Sequence, residues 1–66
     1  MDIYKGYVID QSTTRVVDGK LTHVTYSILR YGMEVYREML TGPFTHEEAS
    51  AAVESAARQW IDQLRS

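Results

Sequence analysis

The chain has 66 residues, a formal net charge of −2 and no cysteine. A domain this small buries only about 60% of the surface its unfolded form exposes, so a thin core is expected. Without cysteine there is neither a disulfide framework nor a thiolate metal site, and seven basic residues scattered at 5, 15, 20, 30, 37, 58 and 65 do not make a dedicated nucleic-acid binder.

No apolar run approaches the roughly 20 residues that span a bilayer, so no membrane partner is expected. The opening Met1-Asp2-Ile3-Tyr4 lacks the basic and apolar regions of a signal peptide, which makes cytoplasmic the expected location. No low-complexity stretch, repeat or linker interrupts the chain, and residues 1–66 read as one domain.

Residues 3–10 are rich in β-formers and read as a first strand, with Gly6 as a bulge or a close backbone approach. The polar run 10–14 either continues this strand along a sheet edge or bulges away from it. Asp18-Gly19 between β-rich flanks is a hairpin signal, because both central residues of a type I′ turn need positive φ; Gly19→Val is therefore expected to destabilise. Residues 20–30 form the longest strand, with Val24, Tyr26 and Ile28 alternating against His23, Thr25 and Ser27. Tyr31-Gly32 is a second tight turn, and residues 33–41 make the third strand.

Gly42-Pro43 ends the ladder in this reading. Thr45 and Glu48 then form a capping box that opens a helix over 45–65. Its apolar residues fall at 49, 52, 53, 56, 57, 60, 61 and 64, the spacing of one buried stripe. The stripe is small at its start and large at its end, which makes Trp60 the expected anchor on the sheet.

The predicted architecture is α+β: a three-stranded antiparallel meander with one C-terminal helix packed on one face (β-β-β-α). With two-residue loops, Ile28 sits opposite Ile9 and Val35, and Val24 opposite Met39. The helix-covered face is then Tyr7, Ile9, Val24, Tyr26, Ile28, Val35 and Met39. The outer face carries Val8, Leu21, Leu29, Tyr31, Tyr36 and Leu40, diluted by His23, Thr25, Ser27, Glu34 and Glu38. A single bulge would exchange the faces beyond it.

Chemistry is sparse. His46-Glu47-Glu48 lacks the H-E-x-x-H spacing of a zinc helix and is accounted for by first-turn acids and the capping box, so no metal is expected. Asp10, Ser12 and His23 carry no sign of an oriented nucleophile, and no glycine-rich phosphate loop follows a strand. Neither an enzymatic activity nor a cofactor is expected. Five tyrosines (4, 7, 26, 31 and 36) could stack bases, but they lack the basic groove which that mode needs.

Several landmarks together resemble a group of small bacterial proteins of β-β-β-α layout. They are Tyr4-Lys5-Gly6-Tyr7-Val8-Ile9, Asp18-Gly19, Ile28-Leu29-Arg30, Gly42-Pro43-Phe44-Thr45-His46-Glu47-Glu48-Ala49 and Ala57-Arg58-Gln59-Trp60-Ile61-Asp62. The resemblance spans nearly the whole chain, and it implies a fold without implying an activity. Leu21 departs from the aromatic common after the Asp-Gly turn, which is expected to loosen that end of the core.

The functional expectation is a small non-enzymatic protein-interaction module, binding an unknown protein or itself as a homodimer. Its contact would be an edge strand or the outer sheet face, where Val8, Leu29, Tyr31, Tyr36 and Leu40 are the candidate residues. Asp18, Gly19, Thr45, Glu48 and Trp60 are structural in this reading. The alternative is a nucleic-acid-associated accessory protein using sheet tyrosines and arginines, with nucleic acid the disfavoured partner.

Overall fold

Three X-Gly dipeptides set the layout. In the computed structural model, which describes residues 2–64, Lys5-Gly6, Asp18-Gly19 and Tyr31-Gly32 all have positive φ at both positions: 50° and 84°, 52° and 75°, 54° and 77°. This is the backbone of a type I′ hairpin, whose twist matches that of the strands it joins. The turns separate β1 (Asp2–Tyr4), β2 (Tyr7–Val17), β3 (Lys20–Arg30) and β4 (Met33–Phe44), and α1 (His46–Leu64) follows. The strands form one antiparallel sheet in the order β1-β2-β3-β4.

The architecture is α+β with a C-terminal helix, but the sheet has four strands where three were expected. Gly6 is a turn residue, not a bulge, so the first expected strand is two. The later strands are also longer: β2 runs on to Val17, and β4 continues through Gly42-Pro43, a cis peptide bond, to Phe44. The expected helix end at Arg65 lies outside the described residues.

A tyrosine at the first turn position bears a cost, since a left-handed backbone crowds its Cβ and Asn or Asp tolerates it better. Tyr31 is 89% exposed. Tyr31→Asn is therefore expected to stabilise the protein by about 0.5–1 kcal/mol in urea denaturation. A lowered midpoint would mean that the stacking of Arg30 on the Tyr31 ring, 5.2 Å from its centroid, outweighs the backbone gain.

The core lies between α1 and one sheet face. Tyr7, Ile9, Leu21, Val24, Tyr26 and Ile28 meet Ala49, Val53, Ala57 and Ile61, all buried. The helix thus seats a four-residue repeat, flanked by half-buried Ala56 and Trp60, while Leu64 is 56% exposed and falls off the expected stripe. Alanines at 49 and 57 let the helix approach the sheet closely. Its start is capped as expected: the Thr45 amide donates to Glu48 Oε1 (2.8 Å), and the Glu48 amide donates to Thr45 Oγ1 (3.1 Å).

Bulges decide which side chains face the helix. Between β2 and β3 the register shifts at Thr14 and shifts back at Thr22, so Ile9 still opposes Ile28 as expected. Both bulged threonines turn their hydroxyls to cross-strand carbonyls, Thr14 Oγ1 to His23 O (3.0 Å) and Thr22 Oγ1 to Arg15 O (3.4 Å). The Thr22 bulge also changes the parity of β3 and turns Leu21 into the core, where it is 1% exposed. Leu21 therefore fills that end of the core and is not an outer-face residue.

Between β3 and β4 one uncompensated bulge falls at Val35, because Leu29 opposes Glu34 while Ile28 opposes Tyr36. Everything after it is flipped relative to a plain two-residue hairpin. Tyr36 and Leu40 pack against the core, while Val35 and Met39 are 46% and 55% exposed.

Candidate interaction surface

The five residues expected to share an outer face do not share one. Val8 and Leu29 are cross-strand partners on it, and Ile3 extends their row across β1. Tyr31 stands in the hairpin turn, and Tyr36 and Leu40 lie under the helix, for the bulge reason given above. Beyond the row Ile3–Val8–Leu29 the outer face is mixed: Asp10, Ser27 and Arg37 form one rung, Ser12, Thr25 and Met39 the next, and Arg15, His23 and Thr41 another. Arg37 is held by Glu34 through a 2.8 Å ion pair.

The sheet's edges are unequal. β1 pairs with β2 only as far as Ile9, so among the described residues the remainder of β2 has no neighbouring strand on that side. That stretch is polar and bulged at Thr14, features that blunt an edge against pairing. On the other side β4 has no further neighbouring strand among the described residues. Its bulge at Val35 and Pro43 near its end interrupt the edge, and the run Tyr36–Thr41 between them is regular. On this run Arg37 and Met39 project to the outer face and Tyr36, Glu38 and Leu40 to the helix side.

Where β4 meets α1, aromatic rings gather around a carboxylate. The Tyr36 and Trp60 rings stack with centroids 4.7 Å apart and 20° between planes, and Tyr26 tilts against Tyr36 at 6.2 Å. Tyr26, buried beneath, donates its phenol proton to Glu38 Oε1 at 2.7 Å. Burial first, and then this bond to a carboxylate, raise the Tyr26 phenol well above its ordinary pKa. Burial and Glu38 also raise Tyr36. A depression of about 250 Å³ opens between β4 and the helix, with Tyr36, Glu38, Gln59 and Trp60 in its wall.

A second polar group lies over β1. Asp62 in the last turns of α1 sits where the helix dipole disfavours an anion, and among the described residues no basic residue stands in the last turn. The opposing charge comes from the first hairpin: Lys5 Nζ reaches Asp62 Oδ1 at 2.6 Å, and the Tyr4 hydroxyl donates to the same carboxylate at 3.0 Å. Arg58 pairs with Glu54, stands 3.6 Å from Asp2 Oδ2 without making a hydrogen bond, and lies over the Tyr4 ring at 5.0 Å. Of these groups Tyr4, Glu54, Arg58 and Asp62 line the wide depression of about 790 Å³ beside Tyr4. Their charged partners are one another, which makes this a clamp between hairpin and helix.

The clamp and the cap leave a signature in acid. The Lys5 hydrogen bond holds Asp62 below the usual carboxylate range, and the Thr45 amide does the same for Glu48. A carboxyl whose pKa is depressed by folding stabilises the fold at pH values above its unfolded pKa, about 4, and loses that contribution as pH falls through the folded value. Thermal midpoints are expected to be flat from neutrality to about pH 5 and to fall below about pH 4. The double variant Asp62→Asn/Glu48→Gln should start lower and fall less. An equally steep fall in the variant would place the acid sensitivity elsewhere.

Among the described residues no cluster of three or more His, Asp or Glu side chains is placed to hold a metal ion, and no helix is long and apolar enough to cross a membrane. The sheet edge and the aromatic–carboxylate groove are the features beyond what the fold itself needs. Sequence reasoning did not find the groove, because it set Glu38 and Tyr36 on the outer face. Compared with protein-family models, curated proteins and solved structures, the chain has no significant match to any of them.

Proposed function

We propose that the protein is a small non-enzymatic interaction module that receives an extended strand along the open edge of β4. The observation that carries this reading is the unpaired regular run Tyr36–Thr41, with exposed Met39 on one side and the Trp60 groove on the other. Such an edge offers main-chain hydrogen bonds for affinity and alternating side-chain positions for selectivity. The row Ile3–Val8–Leu29 is a smaller apolar patch and supports the outer-face version of the same reading less well. A nucleic-acid role has less support still. Tyr7 and Tyr26 are buried, Tyr36 is stacked on Trp60, and Arg30 lies over the Tyr7 ring at 4.6 Å, so Tyr31 alone stands well exposed for stacking.

A photo-crosslinking side chain at Met39, compared with one at Ser55 on the exposed helix surface, tests the reading in cells. Discrete adducts from position 39 and none from 55 are expected. The same adducts from both positions would remove β4 as the contact.

A further inference from the structure

The strand proposed for the edge of β4 has a readable chemistry on its helix side. Glu38 stands there with one oxygen bound by the Tyr26 hydroxyl at 2.7 Å, and among the described residues no Lys, Arg or His lies within ion-pair distance of it. Beside it the Tyr36–Trp60 stack presents aromatic surface to the same depression. A half-buried carboxylate next to aromatic faces favours a cation, which gains both from the charge and from the ring quadrupoles. The remaining wall contributes neutral groups such as Gln59.

A second copy of the chain fits this edge poorly. Residues facing each other across an antiparallel pair share a face of the sheet. Pairing β4 antiparallel with another β4 about a two-fold axis, which keeps both helices on one side, therefore brings two Glu38 carboxylates onto that side of the joint sheet, as near neighbours. The sole basic residue of β4, Arg37, falls on the other side, where it is bound to Glu34. Self-pairing thus gathers like charge where a foreign strand can supply the opposite one.

We infer, resting on the reading above, that the partner is an extended segment of another protein which sets a lysine or arginine on the helix side of β4, against Glu38 and the Tyr36–Trp60 stack. Apolar residues alternate with that cation and lie beside Met39 on the outer face.

The test uses the full chain and a synthetic capped heptapeptide, Thr-Lys-Val-Lys-Val-Lys-Thr, with a control in which glutamate replaces each lysine. Trp60 is the only tryptophan, so its emission reports the groove directly, and amide shifts at residues 36–41 report the edge. The lysine peptide is expected to move both signals, to bind about tenfold more tightly than the glutamate peptide, and to weaken as salt is raised. Glu38→Gln keeps an acceptor for Tyr26 and should abolish the preference, with circular dichroism confirming the fold. Should the variant not fold, the peptide pair and the salt series on wild type still decide. Equal binding of both peptides at residues 36–41 would overturn the basic partner and leave the open-edge reading intact. If neither peptide moves those amides, the edge reading fails and this inference fails with it. Shifts confined to Glu47 and Glu48, or shifts that grow with protein concentration in the absence of peptide, would also overturn it.

Discussion

Ile61→Ala is expected to unfold the protein, whereas Trp60→Ala is expected to leave it folded. Ile61 is fully buried and is the large side chain that the helix drives into the sheet, among Tyr26, Ile28 and the other core residues. Truncating such a residue costs about 3–5 kcal/mol in lost transfer energy and residual cavity. A chain of this length has a total stability of about 3–10 kcal/mol, so that loss consumes much or all of it. Trp60 is larger but only half-buried, stacked on Tyr36 at the rim of the core. Its removal leaves an open notch that water can enter, and about 1–2 kcal/mol is expected. Urea denaturation of both variants followed by circular dichroism checks the order. Trp60→Ala as the more damaging of the two would restore the tryptophan as the main anchor.

Gly42→Ala is the second large effect. A Cβ at this position would collide with the Leu21 carbonyl oxygen and come within 2.6 Å of the Phe44 amide nitrogen. Both obstacles are backbone, and both belong to the paired ends of β3 and β4 at Leu21–Phe44. The strands must separate there, or Leu21 must leave the core; either costs about 2–4 kcal/mol by the standards of overpacked interiors. The three turn glycines have open space where a Cβ would stand, so their sensitivity is to backbone conformation instead. An alanine variant at 42 with an unchanged denaturation midpoint would mean that β4 leaves β3 before Phe44.

The contrast between α1 and the sheet shows what one sequence makes legible. A capping box and a four-residue apolar repeat are local, so the start of the helix could be read to within a residue. Asp18-Gly19 and Tyr31-Gly32 were equally local. Lys5-Gly6 was missed because Tyr4 and Tyr7 on either side are good β-formers, although its glycine lies 13 residues before Gly19, as Gly19 does before Gly32. The bulges have no such local mark. Val35 is an ordinary strand residue, and its extra place in the ladder follows from which of Val35 and Tyr36 fills the space beneath Trp60. That choice is tertiary. It decided the faces of Tyr36, Glu38, Met39 and Leu40 together, and with them the composition of the candidate surface.

Amide hydrogen exchange along β4 in dilute protein tests the open edge most directly. In an edge strand the N–H groups alternate between the neighbouring strand and solvent. Alternating protection is expected from Tyr36 to Thr41, protected amides facing β3 and fast-exchanging ones between them, against continuous protection through Val24–Ile28 in the centre of the sheet. Continuous protection of residues 36–41, already present at low concentration, would mean that the edge is occupied or folded away, and would contradict β4 as an open site for an incoming strand.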